Sequence, residues 1–197
     1  VVSGLDVAAR VFEKLDPTLT FERHVEDGTL VPAKTALFTV RGLAQSILMA
    51  ERTALNLIQR MIGTATLTRA YVDAVPKGRA CRITDTRKTT PGLRLLERYA
   101  VRCGGGKNHR DDLGSAILIK DNHIVASGGV KEAISRARAN ASHTCTIECE
   151  VDKLAQLELA LEAGVDIVLL DNMDDATVAK AVARVREVSP RTLVEAS

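Results

Sequence analysis

The sequence is poor in aromatic residues and in long apolar runs. Phe, Trp and Tyr make up 3% of its 197 residues, and Trp is absent. Because binders of single-stranded nucleic acid stack bases on aromatic side chains, this scarcity argues against such a role. No apolar run approaches the roughly 20 residues of a membrane-spanning helix, and the first residues lack the basic and then apolar layout of a signal peptide. We therefore expect a soluble, cytoplasmic protein.

Cysteine is also scarce. The four cysteines show no CxxC spacing and are too few to form a disulfide framework in a chain of this size, so we expect reduced thiols. The remaining composition, 46% hydrophobic and 26% charged with a net charge of +2, is that of an ordinary globular protein. A chain of this length can bury a core without disulfides or metals, which excludes disorder as its main state.

The small net charge conceals one basic segment. Between Arg79 and His123 there are 10 Lys and Arg against 5 Asp and Glu. A solvated helix face explains part of this excess if Arg94, Arg98 and Arg102, spaced by four, form one polar stripe. The other basic residues lie in short Gly- and Thr-rich segments beside apolar strands, where a solvated face explains them less well, and this favours a site for a small polyanion.

The first part of the chain reads as a small α+β unit. Ser3 is predicted to cap a helix ending near Leu15. Three strands are predicted at 19–25, 29–31 and 35–40, with a hairpin turn at residues 26–28. Helical spacing then extends over 43–75, with a predicted break at Gly63.

Strands and helices alternate in the rest of the chain. The predicted strands are 80–85, 116–120, 144–151, 167–171 and 192–195, and the predicted helices between them are 92–102, 129–141, 153–162 and 176–188. This alternation predicts a parallel sheet, whose ligand crevice lies at the carboxyl ends of the strands. Those ends carry charged residues, so we place the site there.

Two strand ends suggest specific chemistry. Lys120 directly follows an apolar strand, which puts its ammonium at the rim of the sheet, although a plain surface lysine is the alternative. Glu148 and Glu150 are two residues apart on a strand and point to the same side. With Asp171 from the next strand they offer hard oxygen ligands suited to Mg²⁺ or to sugar hydroxyls. The alternative is that one glutamate only forms a salt bridge.

Two further segments favour anions. Gly104-Gly-Gly106 precedes Lys107, His109 and Arg110, which resembles a basic loop over an anion, whereas triple glycine alone usually ends a helix. Thr90-Pro91 is predicted to cap the next helix, whose amino end would also favour an anion.

Longer motifs carry a family resemblance. The segments 85–94 (DTRKTTPGLR) and 99–110 (YAVRCGGGKNHR) strongly resemble the quinolinate phosphoribosyltransferase family, also called nicotinate-nucleotide pyrophosphorylase (carboxylating). The resemblance extends to 51–56 (ERTALN), 117–123 (ILIKDNH), 148–151 (ECEV) and 167–173 (IVLLDNM), and so to nearly the whole chain.

The resemblance implies an α/β fold: a small N-terminal α+β sandwich domain, residues 1–52, and an open parallel α/β barrel, residues 53–197. It implies transfer of the phosphoribosyl group of phosphoribosyl pyrophosphate to quinolinate with decarboxylation, giving nicotinate mononucleotide for NAD synthesis. Mg²⁺ is the implied cofactor. No nucleic acid or membrane is an expected partner.

Site residues follow from the same motifs. Arg87, His109 and Arg110 would hold the quinolinate carboxylates, and Lys88 and Lys120 would lie between that ring and the donor. Glu150 and Asp171 would position metal-bound pyrophosphate and the ribose. Arg52 would reach the neighbouring site across a homodimer interface.

Two departures from the family pattern stand out. Met61-Ile62 replaces the more frequent Leu-Ser before Gly63, a change we expect to be tolerated. Relative to the family, both ends also look incomplete, with five predicted barrel strands and without the glycine-rich loops for the donor's 5′-phosphate. If the chain ends here, we expect weak or absent activity.

Three alternatives remain at this point. A paralogue on the same scaffold would use another pyridine carboxylate, such as nicotinate, or act as a molybdenum-transport accessory protein. An aldolase-like barrel would use Lys120 to form a Schiff base. A nucleic-acid binder is suggested only by the basic segment, without a motif that reads a groove.

Overall fold

A computed structural model describes all residues, 1–197, as two compact units, Val1–His109 and Arg110–Ser197. The first unit contains α1 (Leu5–Leu15), β1 (Thr20–Arg23), β2 (Phe38–Arg41), α2 (Ala44–Ala74) and α3 (Arg94–Cys103). The second contains β3 (Ile117–Ile119), α4 (Asp121–Ser127), α5 (Val130–Asn140), β4 (Ile147–Val151), α6 (Leu154–Glu162), β5 (Ile167–Leu170), α7 (Asp175–Val188) and β6 (Leu193–Ala196). The predicted α/β class is confirmed. Although α2 is 31 residues long, no helix combines the length and the apolarity needed to cross a membrane.

The first unit has one antiparallel pair of strands rather than three strands. β1 pairs with β2 in the register Thr20 to Arg41, and both strands pack with α1 and α2 around Phe12. The predicted strand at 29–31 is wrong, and the turn at 26–28 forms, with the N–H of Thr29 donating to Glu26, but it does not join two strands of a hairpin. That segment instead bonds to the chain before α1, because Gly28 donates its N–H to Val2 and Val2 donates to Thr29.

The start of α1 corrects a second prediction. Ser3 does not cap the helix, since it is completely buried and its Oγ makes no hydrogen bond. Asp27 does this work from the neighbouring loop, where its carboxylate accepts the N–H groups of Gly4 at 2.8 Å and Leu5 at 3.2 Å. Tyr99 on α3 donates its hydroxyl to the same carboxylate at 2.8 Å. One acidic side chain therefore joins the start of α1 to α3.

The predicted break at Gly63 is absent, and α2 runs through it without interruption. Gly63 lies on the exposed side of the helix with open space around its Cα, while Met61 and Ala65 beside it are buried. Packing of that apolar stripe stabilises the helix and outweighs the low helix propensity of one glycine, which costs about 1 kcal/mol relative to alanine.

Two further predictions around residues 80–93 are wrong. The expected strand at 80–85 is reduced to one parallel bridge between Thr84 and Lys107. Thr90-Pro91 does not start α3, which begins at Arg94 after a turn.

The second unit contains a parallel sheet of four of the five predicted strands, in the order β3-β4-β5-β6. Its core lies on the face covered by α5, α6 and α7, where Ile119, Cys149, Val168 and Leu170 are buried. Because side chains alternate along a strand, the residues between these point to the opposite face. That face carries the charged residues of the candidate site.

Candidate active site

The opposite face of the parallel sheet is acidic. In the observed register Glu148 pairs with Leu118 of β3, and Glu150 pairs with Leu169 of β5. Both glutamates therefore lie on the face that the helices do not cover, as the sequence predicts. Glu148 is buried, with 2% of its surface exposed, and Glu150 is half-buried.

Lys120 lies on this same face at the carboxyl edge of the sheet. Ile119 pairs with Cys149, so the next position along β3 falls opposite Glu150. The Lys120 ammonium donates to Glu150 Oε2 at 2.5 Å, and the Glu150 side chain is only 17% exposed. The lysine is thus a fixed cation at the rim, and the alternative of a glutamate that forms a salt bridge is also observed.

His123 holds the backbone at Lys120. Its Nδ1 accepts the N–H of Lys120 at 2.9 Å, and its own N–H donates back to the carbonyl of Lys120 at 2.9 Å. The His123 side chain thus caps the start of α4, a short helix that the sequence did not predict. With Nδ1 accepting, the Nε2 of the neutral ring carries the proton.

Asp171 follows β5 at the same edge. It lies two residues beyond Leu169, which puts it on the face that carries Glu150. Its N–H donates to the carbonyl of Val151, and its carboxylate accepts the side-chain amide of Asn172 at 2.7 Å. Asn172 adopts a left-handed conformation with φ of 55°, which turns the chain sharply after the strand.

Glu195 is a carboxylate on this face that the sequence reading took only as a strand end. It pairs with Leu169 on β6, and its carboxylate comes within 4.8 Å of that of Glu148. The sequence shows only that Leu193 and Glu195 share one face of the strand, and the register shows which face that is.

Cys149, between the two glutamates, points into the core. Burial raises the pKa of its thiol to about 11, and the charges of Glu150 and Glu148 act in the same direction. The reactive thiolate is therefore disfavoured, and Cys149 serves as a core residue.

Arg110 is tethered to the start of β3. Its Nη1 donates to the carbonyl of Ala116 at 2.9 Å, which folds the intervening segment back on itself.

In the first unit the basic residues Arg87 and Lys88 lie on a segment without regular structure. Arg87 is half-buried and its Nε makes no hydrogen bond, while Lys88 is exposed. Neither side chain forms an ion pair with the protein. A buried guanidinium nitrogen without a partner is costly, so this position suits an external acceptor such as a carboxylate.

Helix α3 holds this segment in place. Arg94 donates to the Thr89 hydroxyl at 3.0 Å and to the carbonyl of Arg87 at 3.2 Å. Glu97 accepts the N–H and the hydroxyl of Thr90 and also pairs with Arg60 of α2. Burial of Glu97 opposes its ionisation, but these hydrogen bonds outweigh it and lower the pKa of the carboxyl.

A buried ion pair holds His109. The side chains of Arg98 and Asp85 are 8% and 6% exposed, with their nearest charged atoms 3.4 Å apart. Asp85 accepts the N–H of His109 at 2.7 Å, and Arg98 donates to its carbonyl at 2.8 Å. Asn108 donates its amide to Asp85 at 2.6 Å. The arginine stripe of α3 is therefore not a solvated face at Arg94 and Arg98, and only Arg102 is exposed.

The glycines 104–106 have a packing role. A Cβ on Gly104 would come within 2.6 Å of Thr68 Cβ, and one on Gly106 within 2.8 Å of Val101 Cγ1. These glycines let the chain leave α3 in close contact with α2. The structure thus gives Gly104 and Gly106 a role in helix packing.

Arg52 lies on α2. It is exposed, next to Leu48 and Met49, which are 71% and 63% exposed.

Residues 1–62 match the family model of the quinolinate phosphoribosyl transferase N-terminal domain, and residues 64–197 match that of its C-terminal domain. A probable nicotinate-nucleotide pyrophosphorylase (carboxylating) of Synechocystis sp. is 44% identical over all 197 residues, which cover 66% of the relative. The human nicotinate-nucleotide pyrophosphorylase (carboxylating) is 41% identical, with 66% of its length covered.

Solved structures agree. NadC from Streptococcus pyogenes shares 44% identity and superposes with a TM-score of 0.90 over the whole of this chain and 68% of its own. The nicotinate-nucleotide pyrophosphorylase of Francisella tularensis shares 40% identity, with a TM-score of 0.92 over the whole of this chain and 69% of its own. The chain thus spans about two thirds of the length of its relatives. On these matches the chain belongs to the quinolinate phosphoribosyltransferase family.

Proposed function

We propose that this chain carries out phosphoribosyl transfer from phosphoribosyl pyrophosphate to quinolinate with decarboxylation, which yields nicotinate mononucleotide, pyrophosphate and CO₂. The observation that carries the proposal is the pair Arg87 and Lys88, cations that lie on a segment held by α3 and that no acidic side chain of the protein neutralises. Quinolinate is a dianion and the donor carries several more charges. Binding both in one pocket is repulsive unless fixed cations offset the charge.

The basic residues have different roles because arginine and lysine bind anions differently. Arg87, His109 and Arg110 grip the two carboxylates of quinolinate, since a guanidinium fork binds a carboxylate at two points. Lys88 and Lys120 lie between the ring and the donor, where a point charge suits phosphate. Most of the rate enhancement then comes from positioning and electrostatics, without a covalent nucleophile.

Bond changes in the reaction balance without a redox step. The ring nitrogen of quinolinate attacks C1 of the ribose as the C1–O bond to pyrophosphate breaks. Positive charge builds on the ribose, and the carboxylates of Glu150 and Asp171 stabilise it. The alkylated nitrogen is cationic, so the ring accepts the electron pair that CO₂ leaves behind, and a proton then takes its place on the ring carbon.

The acidic face also suits Mg²⁺. Proteins commonly hold this ion through one or two carboxylates while substrate phosphates complete its shell, and Glu150 and Asp171 offer such a pair on one face at the sheet edge. When bound, Mg²⁺ would stabilise the negative charge on the departing pyrophosphate. Because the Lys120 ammonium already donates to Glu150, it would donate to both the carboxylate and a phosphate oxygen when the donor binds.

A homodimer is part of the proposal. Arg52 lies beside exposed Leu48 and Met49 on α2, and an exposed apolar patch beside a cation is typical of an interface. We expect Arg52 to enter the site of the neighbouring copy. The cytoplasmic location expected from the sequence stays a prediction.

Titration calorimetry with quinolinate tests the assignment at Arg87. Arg87→Lys keeps the charge but loses the fork, so we expect quinolinate to bind about ten to a hundred times more weakly. Arg191→Lys, at an exposed position in the other unit, should change nothing. Unchanged quinolinate affinity in Arg87→Lys would remove Arg87 from the site. Tighter binding of nicotinate than of quinolinate by the unaltered chain would favour the paralogue instead.

A further inference from the structure

A second basic cleft lies in the first unit, away from the residues assigned to substrate. It has a volume of about 250 Å³ and is lined by the turn after α2, the segment that follows it and the chain around Gly105. Four cationic side chains line it: Lys77, Arg79, Arg82 and Lys107. No acidic side chain lines the cleft, and none of its residues belongs to the proposed substrate site.

The charge of this cleft is not offset by its surroundings. None of the four side chains makes a hydrogen bond or an ion pair, and all four residues are exposed. The nearest acidic residues along the chain are engaged elsewhere, since Asp73 pairs with Arg69 at 2.9 Å and Asp85 is held by Arg98. The carboxyl end of α2 contributes only about half a negative charge. At least three positive charges therefore remain uncompensated.

The local fold keeps the cations together. Arg79 donates its N–H to the carbonyl of Pro76 across a tight turn, in which Gly78 adopts a φ of 82°. Lys107 is fixed by its bridge to Thr84, where its N–H donates to the carbonyl of Ile83 at 2.8 Å. The cations thus come from two chain segments that this bridge joins.

The bridge also separates the two basic sites. Lys77, Arg79 and Arg82 precede Thr84, whereas Arg87 and Lys88 follow it, and His109 follows Lys107. Since the two bridged segments run parallel, the cleft lies at their amino-terminal side and the proposed substrate residues lie beyond their carboxyl side. An anion in the cleft would therefore not occupy the substrate site.

We propose that this cleft is a second anion site that binds the phosphate chain of a small di- or triphosphate. Arginine forks and lysine point charges are the side chains that recognise phosphate oxygens. The volume is below the ~300 Å³ at which pockets for whole drug-sized ligands begin, so it suits a short phosphate chain rather than a complete nucleotide. The site does not depend on the proposed reaction.

Cys81 provides a built-in reporter, because it is an exposed thiol that lines the same cleft. We would measure the rate at which uncharged N-ethylmaleimide modifies Cys81, with and without inorganic tripolyphosphate. The mass of the modified peptide identifies Cys81 as the site of reaction. When the ligand is present at about ten times its dissociation constant, the rate should fall roughly tenfold. Sodium chloride at equal ionic strength should leave the rate unchanged. ATP should protect as well as tripolyphosphate does if the phosphate chain alone is recognised, while adenosine should not protect.

Variants separate the cleft from the substrate site. Arg79→Glu with Arg82→Glu should abolish protection, and the lysine pair Arg79→Lys with Arg82→Lys should retain part of it. The control is Lys180→Glu with Arg191→Glu, an equal charge change at exposed positions in the other unit. In this variant tripolyphosphate should protect Cys81 as well as it does in the unaltered chain. Lys88→Ala should also retain full protection. The proposal would be overturned if sodium chloride gave the same protection, or if protection survived in Arg79→Glu with Arg82→Glu. It would also be overturned if protection disappeared in Lys88→Ala, or if tripolyphosphate gave none at low salt.

Discussion

At the scale of single residues, Lys120 depends on His123. The lysine can meet Glu150 only if the chain leaves β3 in one direction, and His123 fixes that direction through the two hydrogen bonds it exchanges with the lysine backbone. The sequence alone left His123 open between a structural residue and one that supports the site. The structure identifies it as a cap, and so as a positioning residue for Lys120.

Replacing His123 tests this dependence. His123→Ala leaves the N–H of Lys120 without its acceptor, and loss of a cap costs about 1 kcal/mol of stability. We expect a lower kcat with little change in the KM for quinolinate, whereas His123→Asn, which also offers an acceptor, should restore part of the loss. Steady-state kinetics of the two variants give the comparison. Equal kcat in His123→Ala and the unaltered chain would show that Lys120 needs no such support.

Because of Glu97, we expect the free energy of unfolding to depend on pH. Despite the opposing effect of burial, its hydrogen bonds lower its pKa below the ordinary value of 4.5. A carboxyl with a lowered pKa in the folded state stabilises the fold above the unfolded pKa, and this contribution is lost as the pH falls through the folded pKa. The loss is therefore expected below about pH 4.5.

Urea unfolding between pH 3 and pH 7 measures this contribution. Glu97→Gln should lower the free energy of unfolding at pH 7 by about 1–3 kcal/mol and should flatten its acid dependence. Glu13→Gln, which removes only an exposed ion pair with Arg10, should do neither. Parallel pH curves for Glu97→Gln and the unaltered chain would contradict the assignment.

At the scale of elements, α3 organises the proposed substrate residues of the first unit. Its side chains Arg94, Glu97 and Arg98 reach the 85–90 segment, and Arg98 also holds His109. The sequence predicted the helix and its three arginines but could not tell a solvated stripe from a clamp. That distinction depends on where non-helical segments pass, which local periodicity does not encode.

Breaking the clamp should affect binding. Arg98→Gln leaves Asp85 buried without its charge partner, which costs about 3–5 kcal/mol of stability. We expect the affinity for quinolinate to fall while the affinity for phosphoribosyl pyrophosphate changes less, since His109 belongs with the carboxylates. Asp85→Asn, which keeps the shape but leaves the buried Arg98 without its charge partner, should show the same split. Arg102→Gln on the exposed face of α3 is the control. Equal loss of affinity for both substrates would indicate general destabilisation.

At the scale of the whole molecule, the sequence predicted the parallel sheet better than the first unit. Buried parallel strands are continuous apolar runs such as Ile167–Leu170, and their order follows from alternation with helices. The hairpin at 26–28 failed because Gly28 suits several kinds of turn, and Asp27 instead caps α1 from a distance in sequence. Contacts between segments far apart in the chain decide such cases.

Among the site residues, Lys120 and Glu150 lie at the edge of the sheet where the strand ends predicted them, and the structure shows that they form an ion pair. Their position followed from two rules, the alternation of side chains and the meeting of parallel strand ends. Glu195 and the Asp85–Arg98 pair were missed because register and burial are properties of the folded chain.

If Arg52 enters the site of the neighbouring copy, two inactive variants should restore activity when they form a dimer together. Arg52→Ala and Lys120→Ala should each be nearly inactive, because each removes one part of a site shared between two copies. When equal amounts of the two variants are dissociated, mixed and reassembled, half of the dimers contain one copy of each variant. Each of these mixed dimers has one intact site out of two. Activity should then recover to about a quarter of that of the unaltered chain. No recovery on mixing would place Arg52 in the site of its own chain or outside any site.

The most direct test of the account is the product itself. Nicotinate mononucleotide is measured by mass spectrometry after incubation with quinolinate, phosphoribosyl pyrophosphate and Mg²⁺, with nicotinate as a parallel substrate. Both this chain and a version extended at both ends with the terminal segments of the Synechocystis relative are assayed. The account predicts product from quinolinate and none from nicotinate in the extended version. Product from nicotinate alone, or no product together with no binding of quinolinate, would contradict it.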